Sequence, residues 1–235
     1  MTTRPKAAAG DDSVPARLIE AATTLLRVRG PEAITARGVA AEAGMSSMVV
    51  YSHFGGLPEL VRAVADRGFE TLSRAFDDLP TTTDTLADTF RMALQTHQFA
   101  RGNPHLYDLM FGLSTRATYR PPSAADLGSV ARSAAFAQVY AGLLAASERL
   151  VHSGRVTPAD PEIVAACLWS FVHGFICLDL VGSFAHLDDA VSQVLMPLAV
   201  TFSVGMGADP DSSRTSHLRC LTTWREASPS APRPE

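Results

Sequence analysis

At 235 residues the chain is long enough for one sizeable core or two smaller ones, and its Ala- and Leu-rich composition favours helix. Acidic residues outnumber basic ones, 24 to 20, and the net charge of −4 excludes a globally polycationic surface while leaving room for a local basic one. Valine and isoleucine do not alternate in turn-bounded runs, so no strand is expected. The cysteines Cys167, Cys177 and Cys220 have neither disulfide-framework nor zinc-ligand spacing; Cys167 and Cys177 are expected as buried thiols. No nucleophile–base pairing, phosphate-cradling loop or metal-ligand cluster is visible, so neither a cofactor nor an enzyme is implied.

Residues 1–12 read as a flexible arm carrying Arg4 and Lys6, with no apolar signal segment, which predicts a cytoplasmic protein. Ser13 is placed to cap a first helix with Pro15 in its first turn. Leu18, Ala22, Leu25 and Leu26 share one face of it, and Gly30-Pro31 ends it. Thr35 caps a short second helix over 36–43, Gly44 supplies a tight turn, and Ser46 caps a short third helix through Tyr51 to about His53. Helix, glycine turn, helix is the helix-turn-helix arrangement.

Leu57-Pro58 opens a fourth helix striped by Leu60, Val61, Val64, Phe69, Leu72 and Phe76, and the segment 80–83 breaks it. Helices are then expected over 84–101, 104–113, 124–152, 161–182 and 187–206, with Pro197 kinking the last. The window from Ile163 to Phe184 is the most apolar, but His173 and Asp179 interrupt it. It reads as a buried helix rather than a membrane span. Residues 208–235, rich in Ser, Pro, Arg and Asp, read as disordered, with Leu221 and Trp224 leaving open a short docking segment.

The run Ile34-Thr35-Ala36-Arg37-Gly38-Val39-Ala40-Ala41-Glu42-Ala43-Gly44-Met45-Ser46-Ser47-Met48-Val49-Val50-Tyr51-Ser52-His53-Phe54 closely resembles the DNA-binding signature of TetR-type regulators. The resemblance implies an all-α fold: a three-helix reading head over 13–56 and a larger helical domain over 57–207 that dimerises and often encloses a ligand. A helix lying in the major groove offers its N-terminal residues to base edges, making Ser46, Ser47, Met48 and Val49 base-facing candidates, with Ser52 further along. Tyr51, His53, Thr35 and Arg37 are phosphate candidates, as are Arg4 and Lys6, while Phe54 is a core anchor. One departure stands out: the family usually carries a Lys at the start of the fourth helix, where this chain has Leu57.

Trp169-Ser170-Phe171-Val172-His173-Gly174 resembles the Trp-x-x-x-His-Gly signature of a C-terminal subtype called the WHG domain. The expected partners are double-stranded operator DNA, a second copy of the chain and a small apolar or aromatic effector, with no membrane. Candidate pocket residues are His97, His105, Tyr107, Met110, Phe111, Tyr140, Trp169 and His173. The function expected is that of a ligand-released repressor. The alternative is a helical small-molecule-binding protein or enzyme with a vestigial reading head.

Overall fold

The computed structural model describes residues 13–112 and 133–227, and all regular structure among them is helical. The arm residues Arg4 and Lys6, and the start of the helix expected at 124, lie outside the described residues. The described residues divide into two compact units, one holding 13–68 and 105–112, the other 69–104 and 133–227.

In the first unit, α1 (Val14–Arg29) is capped by Ser13, whose hydroxyl accepts the Ala16 N–H at 3.4 Å. It stops at Gly30, a residue in the left-handed region (φ 77°) whose N–H returns to the Leu26 carbonyl. After a 3-10 turn (Pro31–Ala33), Thr35 Oγ1 accepts the Gly38 N–H at 2.9 Å and starts α2 (Ala36–Glu42). Gly44 turns with φ 69°, and α3 (Met48–Phe54) follows. The cap expected from Ser46 is absent. Ser47 precedes the helix and its side chain makes no capping bond.

Leu18, Leu25 and Leu26 of α1, Val39 and Ala40 of α2 and Val50 of α3 close one core with Leu60 and Val64 of α4 (Leu57–Asp77). Arg17 donates to the Ala43 carbonyl at 2.9 Å, tying α1 to the turn before α3. The first unit also takes in α6 (Pro104–Phe111), whose Leu106 and Leu109 pack against that core. The division into units falls within α4, at Gly68 and Phe69, and α6 belongs to the first unit.

The second unit is built around α5 (Thr85–Gly102), which packs against α7 (Ala134–His152), α8 (Pro161–Leu180), α9 (Met196–Gly205) and α10 (Pro210–Ala227). So enclosed, α5 buries even Thr85, Asp88, Thr89 and Thr96. The buried Asp88 carboxylate is satisfied by the Thr82 amide and hydroxyl, both at 2.8 Å, and by Arg91 at 2.9 Å. One π turn (Val191–Leu195) precedes α9: Pro197 has no N–H to give to the residue four back, and the Met196 N–H reaches five back to Val191. The irregularity predicted from Pro197 takes this form.

Two expectations are corrected here. Residues 210–227, expected to be disordered, form α10, and its buried side chains are Ser213, Ser216, His217, Cys220 and Leu221. The helix is anchored at its polar edge. Arg219 meets Asp84 at 2.6 Å, Arg155 donates to Ser212 and Ser216, and Arg225 pairs with Asp189. Cys167, expected to be buried, is exposed; Cys177 is half-buried and only Cys220 is enclosed. The α8 face bearing Cys167 also exposes Ile163, Leu178 and Val181.

Candidate functional site

The DNA-facing candidates sit together at the start of α2 and along α3. Thr35, Arg37, Ser46, Ser47, Ser52 and His53 are all exposed. Met48 is 70% and Tyr51 52% exposed, unusual for large apolar side chains without a partner to meet. Residues 47, 48, 51 and 52 share one face of α3, because positions three and four apart are helical neighbours. Val49 differs from the expectation for a base-facing residue: it is half-buried and packs against the head's core.

Hydrogen-bond roles follow from the neighbours. Thr35 Oγ1 accepts from Gly38, so its own proton stays free for a phosphate oxygen. Ser52 Oγ donates to the Val49 carbonyl at 3.1 Å and keeps its lone pairs outward as an acceptor. Phe54 and Leu57 are both half-buried against the head's core. Leu57 thus packs where the family usually places a cation.

The second unit contains an apolar cavity with about 40 Å³ of free volume, room for about three waters at 10–15 Å³ each. Its walls are aromatic and aliphatic: Phe76 of α4, Phe90 of α5, Trp169 and Phe171 of α8 and Phe202 of α9. Thr89, Thr96, His173, Ser203 and His217 are its polar lining, and among the described residues no Asp, Glu, Lys or Arg lines it.

Of the eight pocket candidates, Trp169 and His173 line this cavity, one helical turn apart with ring centroids 4.2 Å from each other. Tyr140 lies behind, edge-on to Trp169 at 5.9 Å. His97 does not line it; its Nε2 is 2.9 Å from Asp179, which also takes Arg101 at 3.5 Å. His105, Tyr107, Met110 and Phe111 belong to the first unit, where Met110 packs against Gly68 and Phe111 against Tyr107. Periodicity had no means of finding His217, because the segment carrying it read as disordered.

Burial pushes the His173 imidazole down from 6.5 to about 4. The unfolded chain therefore binds the proton first as pH falls. The stability this histidine contributes is intact above about 6.5 and drains away between 6.5 and 4, a loss on the order of 3 kcal/mol. His217 is lowered in the same direction by burial, and the carboxylates Asp84 and Asp189, held below 3.8, titrate beneath this window. Urea unfolding at pH 7.5 and at pH 5 should show a clear drop in midpoint, much reduced in His173→Phe; an unreduced drop assigns the effect elsewhere.

Comparison with known proteins agrees with this division of labour. Residues 18–64 match the family described as bacterial regulatory proteins, tetR family. Residues 89–202 match a tetracyclin repressor-like C-terminal domain, and the Trp169–Gly174 motif falls inside that match. An HTH-type transcriptional repressor of Mycobacterium tuberculosis is 35% identical over 102 residues, 41% of this chain and 52% of that protein. A Mycobacterium bovis HTH-type regulator matches to the same extent, so the chain spans about half the length of these curated relatives.

Among solved structures, a Rhodococcus protein of unknown function superposes with a TM-score of 0.65 at 22% identity, over 86% of this chain and 99% of its own. RolR in complex with resorcinol superposes with a TM-score of 0.60 at 19% identity, over 94% and 95%. These two likenesses carry the fold alone. The two family matches, one on the head and one on the cavity-bearing unit, together with the curated relatives show that the chain belongs to the TetR family of bacterial regulatory proteins.

Proposed function

We propose that the chain is a DNA-binding transcriptional repressor that acts as a homodimer in the cytoplasm, is not an enzyme, and leaves its operator when a small apolar or aromatic ligand enters the second unit. The observation that carries the reading is the α3 face. It is short, anchored through Val50, and presents Ser47, Met48, Tyr51 and Ser52 to solvent. A vestigial head has no reason to keep Met48 and Tyr51 outside the core. We assign base contacts to Ser46, Ser47, Met48 and Ser52 and phosphate contacts to Thr35, Arg37, Tyr51 and His53, with Val49 mainly a packing residue.

The repressor sign follows the curated relative named a repressor, and the ligand follows the cavity and the resorcinol-bound structural neighbour. Helix α4 links them. Leu72 and Phe76 line the cavity, while Leu60 and Val64 of the same helix belong to the head's core. A ligand bound there packs against the cavity walls, Leu72 and Phe76 of α4 among them. If it favours a displaced α4, it disfavours the DNA-competent state by the same free energy.

Dimerisation accounts for the apolar stripe left open on α8. That helix, Pro161–Leu180, is the one described helix long and apolar enough to cross a membrane. Its exposed Ile163, Leu178 and Val181, with Leu198 of α9, instead suit a self-complementary four-helix contact. A two-fold pair would present its reading helices to major grooves roughly 34–36 Å apart.

The test is a mobility shift on DNA from upstream of the chain's own gene and from genome-wide selected fragments, with salt titrated. Binding should fall steeply with salt. The folded Tyr51→Ala, His53→Ala double variant should bind about tenfold or more weaker, the equivalent of ~1.4 kcal/mol or more. Equal binding by the double variant removes the α3 face as the contact surface.

A further inference from the structure

We infer that the cavity of the second unit selects an uncharged ligand with an apolar body and a hydroxyl group, which it reads as a hydrogen-bond donor to His217. This rests on the reading of that cavity as an effector site and narrows the effector's chemistry. It follows from where the protons of the lining groups already are.

Three hydroxyls face the cavity, and each spends its proton on a helix carbonyl. Thr96 Oγ1 donates to Met92 O at 2.8 Å, and Thr89 Oγ1 to Leu86 O at 3.0 Å and Thr85 O at 3.2 Å. Ser203 Oγ donates to Ala199 O at 2.5 Å, and the Ser213 hydroxyl donates in turn to Ser203 at 3.2 Å. A carbonyl only accepts, so the direction of each bond is fixed. What these groups offer an occupant is lone pairs.

His217 completes the pattern. Its Nδ1 is 2.8 Å from the Ser213 carbonyl, so Nδ1 carries the N–H, and the Ser213 hydroxyl lies 3.5 Å away on the same side. Burial keeps the ring neutral, and the other nitrogen, Nε2, is then an acceptor. It has no hydrogen-bond partner among the described residues although the residue is only 2% exposed. No fully occluded side-chain N or O in the described structure lacks a partner, so Nε2 keeps some accessible surface, and His217 is one of the residues that line the cavity. Its ring packs against Phe90, 5.0 Å between centroids, which fixes its orientation.

The hydroxyls and His217 offer acceptors, the N–H donors of the lining belong to Trp169 and His173, and no charged side chain lines the cavity among the described residues. A carboxylate or phosphate would be desolvated without a full counter-charge, and a ketone or ether placed at His217 would set lone pair against lone pair. An alcohol or phenol supplies the missing proton. The aromatic walls, Phe76, Phe90, Trp169 and Phe202 among them, suit a planar ring.

Calorimetry on the full chain without DNA tests this, so that failure of the operator hypothesis leaves the result readable. The probes are 4-alkylphenols from methyl to heptyl, with the methyl ether and the 4-alkylbenzoate of each. At least one phenol should bind about tenfold or more tighter than its ether, because a buried acceptor left unpaired penalises the analogue. The benzoates should not bind measurably. His217→Phe, which keeps the aromatic contact, should bring phenol and ether to equal affinity; if that variant does not fold, the wild-type comparison decides alone. Equal binding of phenol and ether, preferential binding of a benzoate, or no binding by any phenol overturns the inference.

Discussion

A chain ended at Gly207 is expected to lose cooperative unfolding of its second unit. Removing α10 uncovers the ring of Phe90, which packs on His217, and the α5 backbone at Ala87, which accepts from the Cys220 thiol at 3.4 Å. It also strips Asp84, the cap of α5, of its bond from Arg219, and Arg155 of its bonds to Ser212 and Ser216. Each buried apolar side chain lost from such an interface costs about 1.5–3 kcal/mol. With Leu221 and Cys220 gone and Phe90 bared, the sum is about 5 kcal/mol or more, comparable with the whole stability of an ordinary domain.

The truncated protein should therefore unfold broadly, bind a hydrophobic dye and keep most of its helical far-ultraviolet signal, the marks of lost side-chain packing. The matching single substitution should behave differently. Arg219 is largely exposed, so Arg219→Ala should cost no more than about 1 kcal/mol despite the 2.6 Å pair with Asp84. A truncated chain that melts as sharply as the full one would show α10 to be an appendage rather than a wall of the core.

That helix also shows where a linear reading stops. The head was legible because its buried residues are apolar at helical spacing and its ends carry recognisable signals: Ser13 and Thr35 as caps, Gly30 and Gly44 as turns. On α10 the buried positions 213, 216, 217, 220 and 221 have the same spacing, but three of the five are Ser, Ser and His. Their burial is made possible by partners distant in sequence, such as Ser203 and Arg155, which no local pattern reveals. The same holds for Cys167. An apolar helix predicts burial on more than one side, yet the face of α8 that bears Cys167 finds no cover among the described residues.

The cavity was half legible for a related reason. Trp169 and His173 were visible as a motif on one helix. The remaining walls come from α4, α5, α7, α9 and α10, and convergence of six helices is a tertiary fact. His105, Tyr107, Met110 and Phe111 have the right chemistry for a pocket, but α6 carries them into the other unit, where Leu106 and Leu109 complete the head's core. Residue type predicted suitability there, while packing decided location.

Filling the cavity from within should imitate the effector. Ala93 lies on α5, is buried, and lines the space between the aromatic walls. Ala93→Leu adds three carbon atoms where the free volume is about 40 Å³. The extra bulk is expected to displace a wall and cost about 1–3 kcal/mol in folding stability by overpacking. Phe76 is the wall whose displacement matters, because α4 carries it and also carries Leu60 and Val64 of the head's core. If the DNA-competent state requires the collapsed cavity, Ala93→Leu should weaken operator binding by about 5–150-fold, the range of common allosteric couplings. It should also lower the response to any added ligand, since the space is already taken. Gln138→Leu, at an exposed position of α7 that does not line the cavity, controls for added apolar surface. A folded Ala93→Leu protein that binds operator as tightly as the wild type and is released by the same ligand would disconnect the cavity from the reading head.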